Sequence, residues 1–285
     1  MIIHERSRLW PYMVELPRQG KSFNANTCGV VTYETIKVQF QESICLLQID
    51  RPQADNTISS QLVAEFHDVL STCEESATVI VVSGTPEVFC MGADFKAIAG
   101  ASKNGCKRDD GPEPLYDLWL RMATGPYVTV SHVRGKVNAG GLGFVAASDI
   151  ALADESAQFS LSELLFGLYP ACVLPFLIRR IGFQKAHYLT LMTQPISAGQ
   201  ACEWGLVDAC EPLSDALLRR HLQRLRRLSK VAIRRYKTYA SRISAPLQDL
   251  KSLAVAANLE IFSDAGNLQA ITRYVEQGVF PWEKL

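Results

Sequence analysis

The chain has 285 residues, 48% hydrophobic and 20% charged, with 29 basic and 29 acidic side chains. This is an ordinary globular composition, and a neutral balance supplies no global field to draw nucleic acid or an acidic membrane. No apolar run approaches the roughly 18 residues a membrane span needs, and Glu5 and Arg6 break any signal-peptide core, so the cytoplasm is the expected compartment.

Residues 1–30 lack periodicity and read as a loose extension. From Val31 the pattern sharpens. TIKVQFQ and ESICLLQID predict two strands joined by a short turn. SSQLVAEFHDVLSTCEE predicts a helix with Leu62, Phe66 and Leu70 on one stripe and Ser59 or Ser60 as its N-cap. TVIVVSG is a buried strand, and FCMGADFKAIAG turns into a helix. SKNGCKRDDGPEP is polar and glycine-containing, the signature of a mobile loop. EPLYDLWLRMATG is a helix, YVTVSHVRG a strand, and NAGGLG opens another helix before the strands DIALAD and AQFSL. From Ala171 onward the pattern is almost entirely helical, with long segments after Ser214. The expected class is α/β, with a core over 31–210 and a helical region over 211–285.

Eight cysteines are scattered without a CxxC pair, which predicts small buried hydrophobes rather than disulfides or a zinc site. Histidine and carboxylate spacing supports no metal, and no cofactor is expected. His132, inside a strand pattern, reads as a satisfied core or edge histidine rather than a base. Asp149 and Asp154 read as turn caps. GLGFVA, from Gly141, also fits a dinucleotide fingerprint with Glu163 about 20 residues on, but NAGG intervenes after the strand and no second phosphate-binding feature accompanies it. No G-x-S-x-G elbow marks a nucleophilic serine.

Two strand-to-helix turns look alike, FCMGAD and NAGGLG. At such turns the first helical N–H groups lack intrahelical partners and point outward, and the helix dipole favours negative charge there. Side by side, two of them aim two backbone donors at one oxygen and form an oxyanion hole. Small residues are needed because a larger group blocks the approach of the substrate carbonyl.

IVVSGTPEVFCMGADFKAI together with KVNAGGLGFVAASDIALADESAQFSLSELLFGLYP resembles the enoyl-CoA hydratase/isomerase (crotonase) superfamily. The resemblance implies a spiral of β-β-α units with a C-terminal helical trimerisation region, and homotrimers or hexamers. It also implies that Ala93 and Gly140 supply the oxyanion N–H groups, and that Asp94, Phe95 and Lys96, with Gly141, line the acyl-thioester and pantetheine path. Hydratases of the family use two glutamates. The second falls at Glu163; the position of the first is Gly143, so one carboxylate is absent. That departure argues against simple water addition to an unsubstituted enoyl thioester, and leaves thioester-enolate chemistry intact.

VTYETIKVQFQ, EPLYDLW, TGPYVTVSHVRGKVNAGGLGF, SLSELLFGLYPACVLPFLIRRIG and FPWE are similar to the polyketide-biosynthesis enoyl-CoA hydratase homologues of β-branching cassettes. That similarity implies dehydration of 3-hydroxy-3-methylglutaryl on an acyl carrier protein to 3-methylglutaconyl, which a sister enzyme decarboxylates. A crotonase-type isomerase or decarboxylase, and a non-catalytic thioester-binding member, are the alternatives. Lys96 is a candidate partner for the distal carboxylate, or a solvated or pantetheine-facing residue. Tyr169 and Cys172 are candidates for the pocket wall, or for the core. The basic run Arg219 to Lys237 is a docking candidate for an acidic carrier protein, or else a solvated face or subunit contact.

Overall fold

A computed structural model describes residues 30–103, 111–243 and 247–283. The predicted extension and most of the predicted mobile loop therefore lie outside the described residues. β1 (Val30–Thr32), β2 (Ile36–Gln41) and β3 (Ile44–Ile49) form an antiparallel meander, with Gln41 facing Ile44 at the tight turn. β4 (Val79–Ser83), β6 (Val128–Val133), β8 (Ile150–Asp154) and β11 (Ala209–Glu211) continue the sheet in parallel, in the order β1-β2-β3-β4-β6-β8-β11. The four leading residues of β4, VIVV, are buried on both faces, which is why that strand reads as an unbroken apolar run.

A second sheet comes from segments too short to carry a periodic signal. β5 (Val88–Cys90), β7 (Lys136–Asn138), β9 (Gln158–Ser160) and β10 (Ile196–Ser197) pair in the order β10-β9-β7-β5. Interspersed with these strands along the chain are α1 (Ser60–Ser76), α2 (Phe95–Lys103), α3 (Glu113–Thr124), α4 (Gly141–Ala147), α5 (Leu174–Met192) and α6 (Ala198–Glu203). Ser59 caps α1 through a 3.2 Å bond from the Leu62 N–H, and Leu62, Phe66 and Leu70 face the core as their spacing predicts. Gly182, at φ 77°, breaks α5 in two.

The C-terminal helices are α7 (Ser214–Leu225), α8 (Lys230–Ile243), α9 (Leu247–Ser263) and α10 (Ala265–Gln277). Leu217, Leu218 and Leu225 of α7 cover the sheet face formed by Val79, Val81, Val130 and Leu152. α9 and α10 cross to the other side, where Ile261 and Ile271 join Ile98, Phe166 and Leu168 in a separate apolar cluster. Among the described residues no helix is long and apolar enough to cross a membrane.

Several expectations need correction. Asp149 is not simply a turn cap. It accepts from the Thr129 N–H at 2.8 Å and from Lys237 Nζ at 2.6 Å, while Lys237 also donates to the Met122 and Tyr127 carbonyls. Burial pulls the Lys237 ammonium below its ordinary range, and the Asp149 charge opposes that pull. The basic run is therefore partly an anchor: Lys230 donates to the Cys73 and Ala77 carbonyls, and Arg234 pairs with Glu75 at 3.1 Å. His132 is buried as predicted and only partly satisfied: it has a hydrogen bond with the backbone of Ser214. Its Nε2 has no hydrogen-bond partner and lies 3.8 Å from Asp215 Oδ1, and burial lowers its pKa to about 4. Asp154 does cap a turn, accepting from the Ser156 N–H at 3.1 Å.

Candidate active site

The two glycine turns meet. A Cβ built on Gly92 falls 2.9 Å from the Gly140 nitrogen and 2.7 Å from Ala139 Cβ. Gly92 also sits at φ 83°, where L side chains are strained, so glycine is required there twice over. On the opposite turn Ala139 occupies the left-handed region at φ 50°, and its N–H is tied to the Ser160 carbonyl at 3.0 Å. A non-glycine residue held in that region stores strain, a feature that clusters at functional sites. Neither the Ala93 nor the Gly140 N–H donates to a backbone carbonyl among the described residues.

Each turn is fixed differently. At the first, Asp94 caps α2 by accepting from the Ala97 N–H at 3.0 Å and is reached by Arg51 at 3.4 Å and Thr57 at 3.3 Å. At the second, glycines permit close packing. A Cβ on Gly141 falls 2.2 Å from the Cys90 carbonyl oxygen, and one on Gly143 falls 2.3 Å from the Trp119 ring. The indole thus occupies the space into which a side chain at position 143 would project. It is held edge-on by Phe144 and Phe176, with ring centroids 5.9 Å away in each case.

Glu163 opens a 3-10 turn, Glu163–Phe166, that ends at Gly167 with φ 75°. The preceding segment is locked to the second turn. β9 pairs with β7, Asn138 Nδ2 donates to Ser162 Oγ at 2.8 Å, and Ser160 Oγ donates to Asn138 Oδ1 at 2.8 Å. The residue is 9% exposed, and its carboxyl oxygen Oε2 is buried with no hydrogen-bond partner among the described residues. Desolvation raises its pKa to about 7, with the Glu163 and Ser162 N–H groups pulling the other way.

One cavity of about 1550 Å³ contains Ala93, Gly140 and Glu163 in its wall. Asp94, Phe95, Lys96, Tyr169 and Cys172 line it too. Gly141 does not. It is buried against Cys90, so its role is to let α4 approach β5 rather than to contact a ligand. Lys96 is exposed at the wall, whereas Phe95 packs edge-on against Phe166. None of the basic run lines the cavity. The far wall comes from Leu259 and Phe262 of α9, Tyr274 of α10 and Phe280, a contribution that the sequence pattern of a helical tail does not reveal. Trp119, in a segment whose pattern shows only a helix, also borders the cavity. The packing of Gly141 and Gly143 accounts for the glycines of GLGFVA without a dinucleotide, and no cluster of three or more His, Cys, Asp or Glu is placed for a metal among the described residues.

Comparison with known proteins identifies the family. The enoyl-CoA hydratase/isomerase family model matches residues 39–284. The bacillaene synthase dehydratase PksH of Bacillus subtilis is 60% identical over 255 residues, which span 89% of this chain and 98% of that protein. The crystal structure of a polyketide biosynthesis enoyl-CoA hydratase (pksH) from Bacillus subtilis superposes with a TM-score of 0.86 at 60% identity, covering 88% of this chain and all of that one. The mevalonyl-coenzyme A hydratase sidH of Aspergillus fumigatus is 33% identical over 168 residues, which are 58% of this chain and 62% of that protein. The chain belongs to the enoyl-CoA hydratase/isomerase (crotonase) family, and it is a PksH-like hydro-lyase.

Proposed function

We propose that the protein removes water from 3-hydroxy-3-methylglutaryl held as a thioester on an acyl carrier protein, giving 3-methylglutaconyl-carrier protein in polyketide β-branching. The observation that carries this reading is a single buried carboxyl, Glu163, in one cavity with the meeting point of the Gly92-Ala93 and Ala139-Gly140 turns. The thioester oxygen accepts from the Ala93 and Gly140 N–H groups. Glu163 as carboxylate takes the α proton, and the developing negative charge is held at that oxygen; one such donor contributes roughly 10²–10³ in rate. The C–O bond at the β carbon then breaks, the Cα=Cβ bond forms, and the protonated Glu163 returns its proton to the departing hydroxyl as water. A carboxyl with a pKa of about 7 suits both halves of this exchange, because neither protonation state is strongly disfavoured near neutrality.

Support for the branched hydroxyacyl class comes from the relatives. PksH is named as a dehydratase of bacillaene synthase, and sidH as a hydratase of mevalonyl-coenzyme A, whose acyl chain carries hydroxyl and methyl on the same carbon. Phe95, Lys96 and Tyr169 line the cavity wall, which supports a role for them in contacting the acyl and pantetheine chain. Exposed Val231, Tyr236, Tyr239 and Ile243 along α8 supply an apolar face for a homotrimer or hexamer.

The test is intact-mass analysis of 3-hydroxy-3-methylglutaryl-carrier protein incubated with the enzyme. Loss of one water supports the assignment. Loss of carbon dioxide indicates a decarboxylase, and an unchanged mass indicates isomerisation or binding alone; either overturns it. Replacing Glu163 by Gln lowers turnover by about 10³ or more while the thioester still binds. Near-normal turnover in that variant removes Glu163 from the mechanism.

A further inference from the structure

Six buried side-chain polar atoms lack a hydrogen-bond partner among the described residues: Gln39 Oε1, Trp119 Nε1, His132 Nε2, Glu163 Oε2, Asp215 Oδ1 and Arg273 Nε. Only two belong to residues of the active cavity, Trp119 and Glu163. Their chemistry is complementary. The indole nitrogen donates and never accepts; the carboxylate oxygen accepts. Buried groups left in this state cost free energy, and proteins keep few of them. Both atoms are buried, in residues that line the cavity.

From this pairing we propose that Trp119 is a specificity-determining residue whose Nε1–H, together with Glu163 Oε2, seats the β-hydroxyl of the substrate. The inference rests on the dehydratase reading above and adds the group that recognises the leaving oxygen. A hydroxyl both donates and accepts, so one such group satisfies both orphaned atoms at once. The substrate's distal carboxylate does not fit the same seat. It has no proton to give Glu163, and two carboxylates side by side disfavour each other's ionised forms.

The position of the ring agrees. Trp119 fills the volume beside Gly143, which lies three residues beyond Gly140 and so about one helical turn from that N–H. In the proposed seat the thioester oxygen lies at Gly140 and the β-hydroxyl at the edge of the indole, and both residues line the same cavity. The indole is fixed there: Trp119 is 1% exposed and held edge-on by Phe144 and Phe176. A rigid donor fits a role in aiming the C–O bond, while Glu163 alone handles the protons.

The experiment measures equilibrium binding in a Glu163→Gln background, where turnover does not interfere. Three pantetheine thioesters serve as probes: 3-hydroxy-3-methylglutaryl, its deoxy analogue 3-methylglutaryl, and 3-hydroxy-3-methylbutyryl, which lacks the distal carboxylate. Adding Trp119→Phe keeps an aromatic ring, though a smaller one, and removes the N–H. It should weaken both hydroxylated probes by about tenfold and leave the deoxy probe nearly unchanged. Equal weakening of all three overturns the proposal in favour of a packing role. A loss confined to the two probes that bear the distal carboxylate overturns it in favour of carboxylate recognition. Gly143→Ala provides a second arm, because its Cβ would fall 2.3 Å from the indole and displace it with Trp119 still present. It should show the same preferential loss for the hydroxylated probes. Because the readout is discrimination between bound probes, it stands apart from whether the unaltered enzyme releases water.

Discussion

The turns at Gly92-Ala93 and Ala139-Gly140 present the same backbone device and are held in place by opposite means. The first is wired by polar side chains, with Asp94 gathering Arg51, Thr57 and the Ala97 N–H. The second is sealed by contact, with Gly141 pressed on the Cys90 carbonyl and Gly143 on the Trp119 ring. The difference teaches where a substitution is tolerated. A hydrogen-bonded turn loses its supports one at a time, whereas a turn held by backbone contact has no intermediate state.

Gly141→Ala breaks the sealed side most severely. Its Cβ would meet a backbone oxygen 2.2 Å away, and that oxygen sits in β5, paired with β7, so it has little freedom to yield. A loss of about 3 kcal/mol in urea unfolding is expected, together with loss of turnover. A variant as stable as the parent would show that α4 moves freely over β5.

The sealed side can also be probed through its charge. Glu163 keeps its proton to a pKa of about 7 when folded, against 4.5 ordinarily. Ionising it therefore opposes folding: the penalty is absent below about pH 4.5 and complete above about pH 7, and amounts to about 3 kcal/mol. Glu163→Gln should thus raise the melting temperature at pH 8 and leave it unchanged at pH 4. An equal shift at both values would mean that the pocket is wet. The smallest effect belongs to the wired turn. Asp94→Ala removes one helix cap and should cost about 1 kcal/mol, read by the same unfolding measurement. A loss matching that of Gly141→Ala would erase the distinction between the two turns.

Much of this was visible in the order of residues. The strand-to-helix turns declare themselves through their glycines and small residues, whereas Glu163 stands out only through the family resemblance of the FSLSE segment. The alternation of strands and helices was equally plain in the long elements, such as α1 with its stripe of Leu62, Phe66 and Leu70. The second sheet escaped because β5, β7 and β9 have three residues each, too few for alternation to register. Asp149 and Lys237 escaped for another reason: they are 88 positions apart, and only the packing of α8 makes them a buried pair. Gly141 misled, since a glycine beside a catalytic turn looks the same whether its bareness admits a ligand or a neighbouring strand.

The wall that α9 and α10 lend to the cavity has a consequence for how the molecule comes into being. These helices leave the ribosome after every strand of the seven-stranded sheet has been made. A nascent chain halted at α8 would already hold both glycine turns and Glu163, yet the chamber around them would stand open on one side. Closure of the chamber thus waits until α9 and α10 have been made and have folded back over the turns.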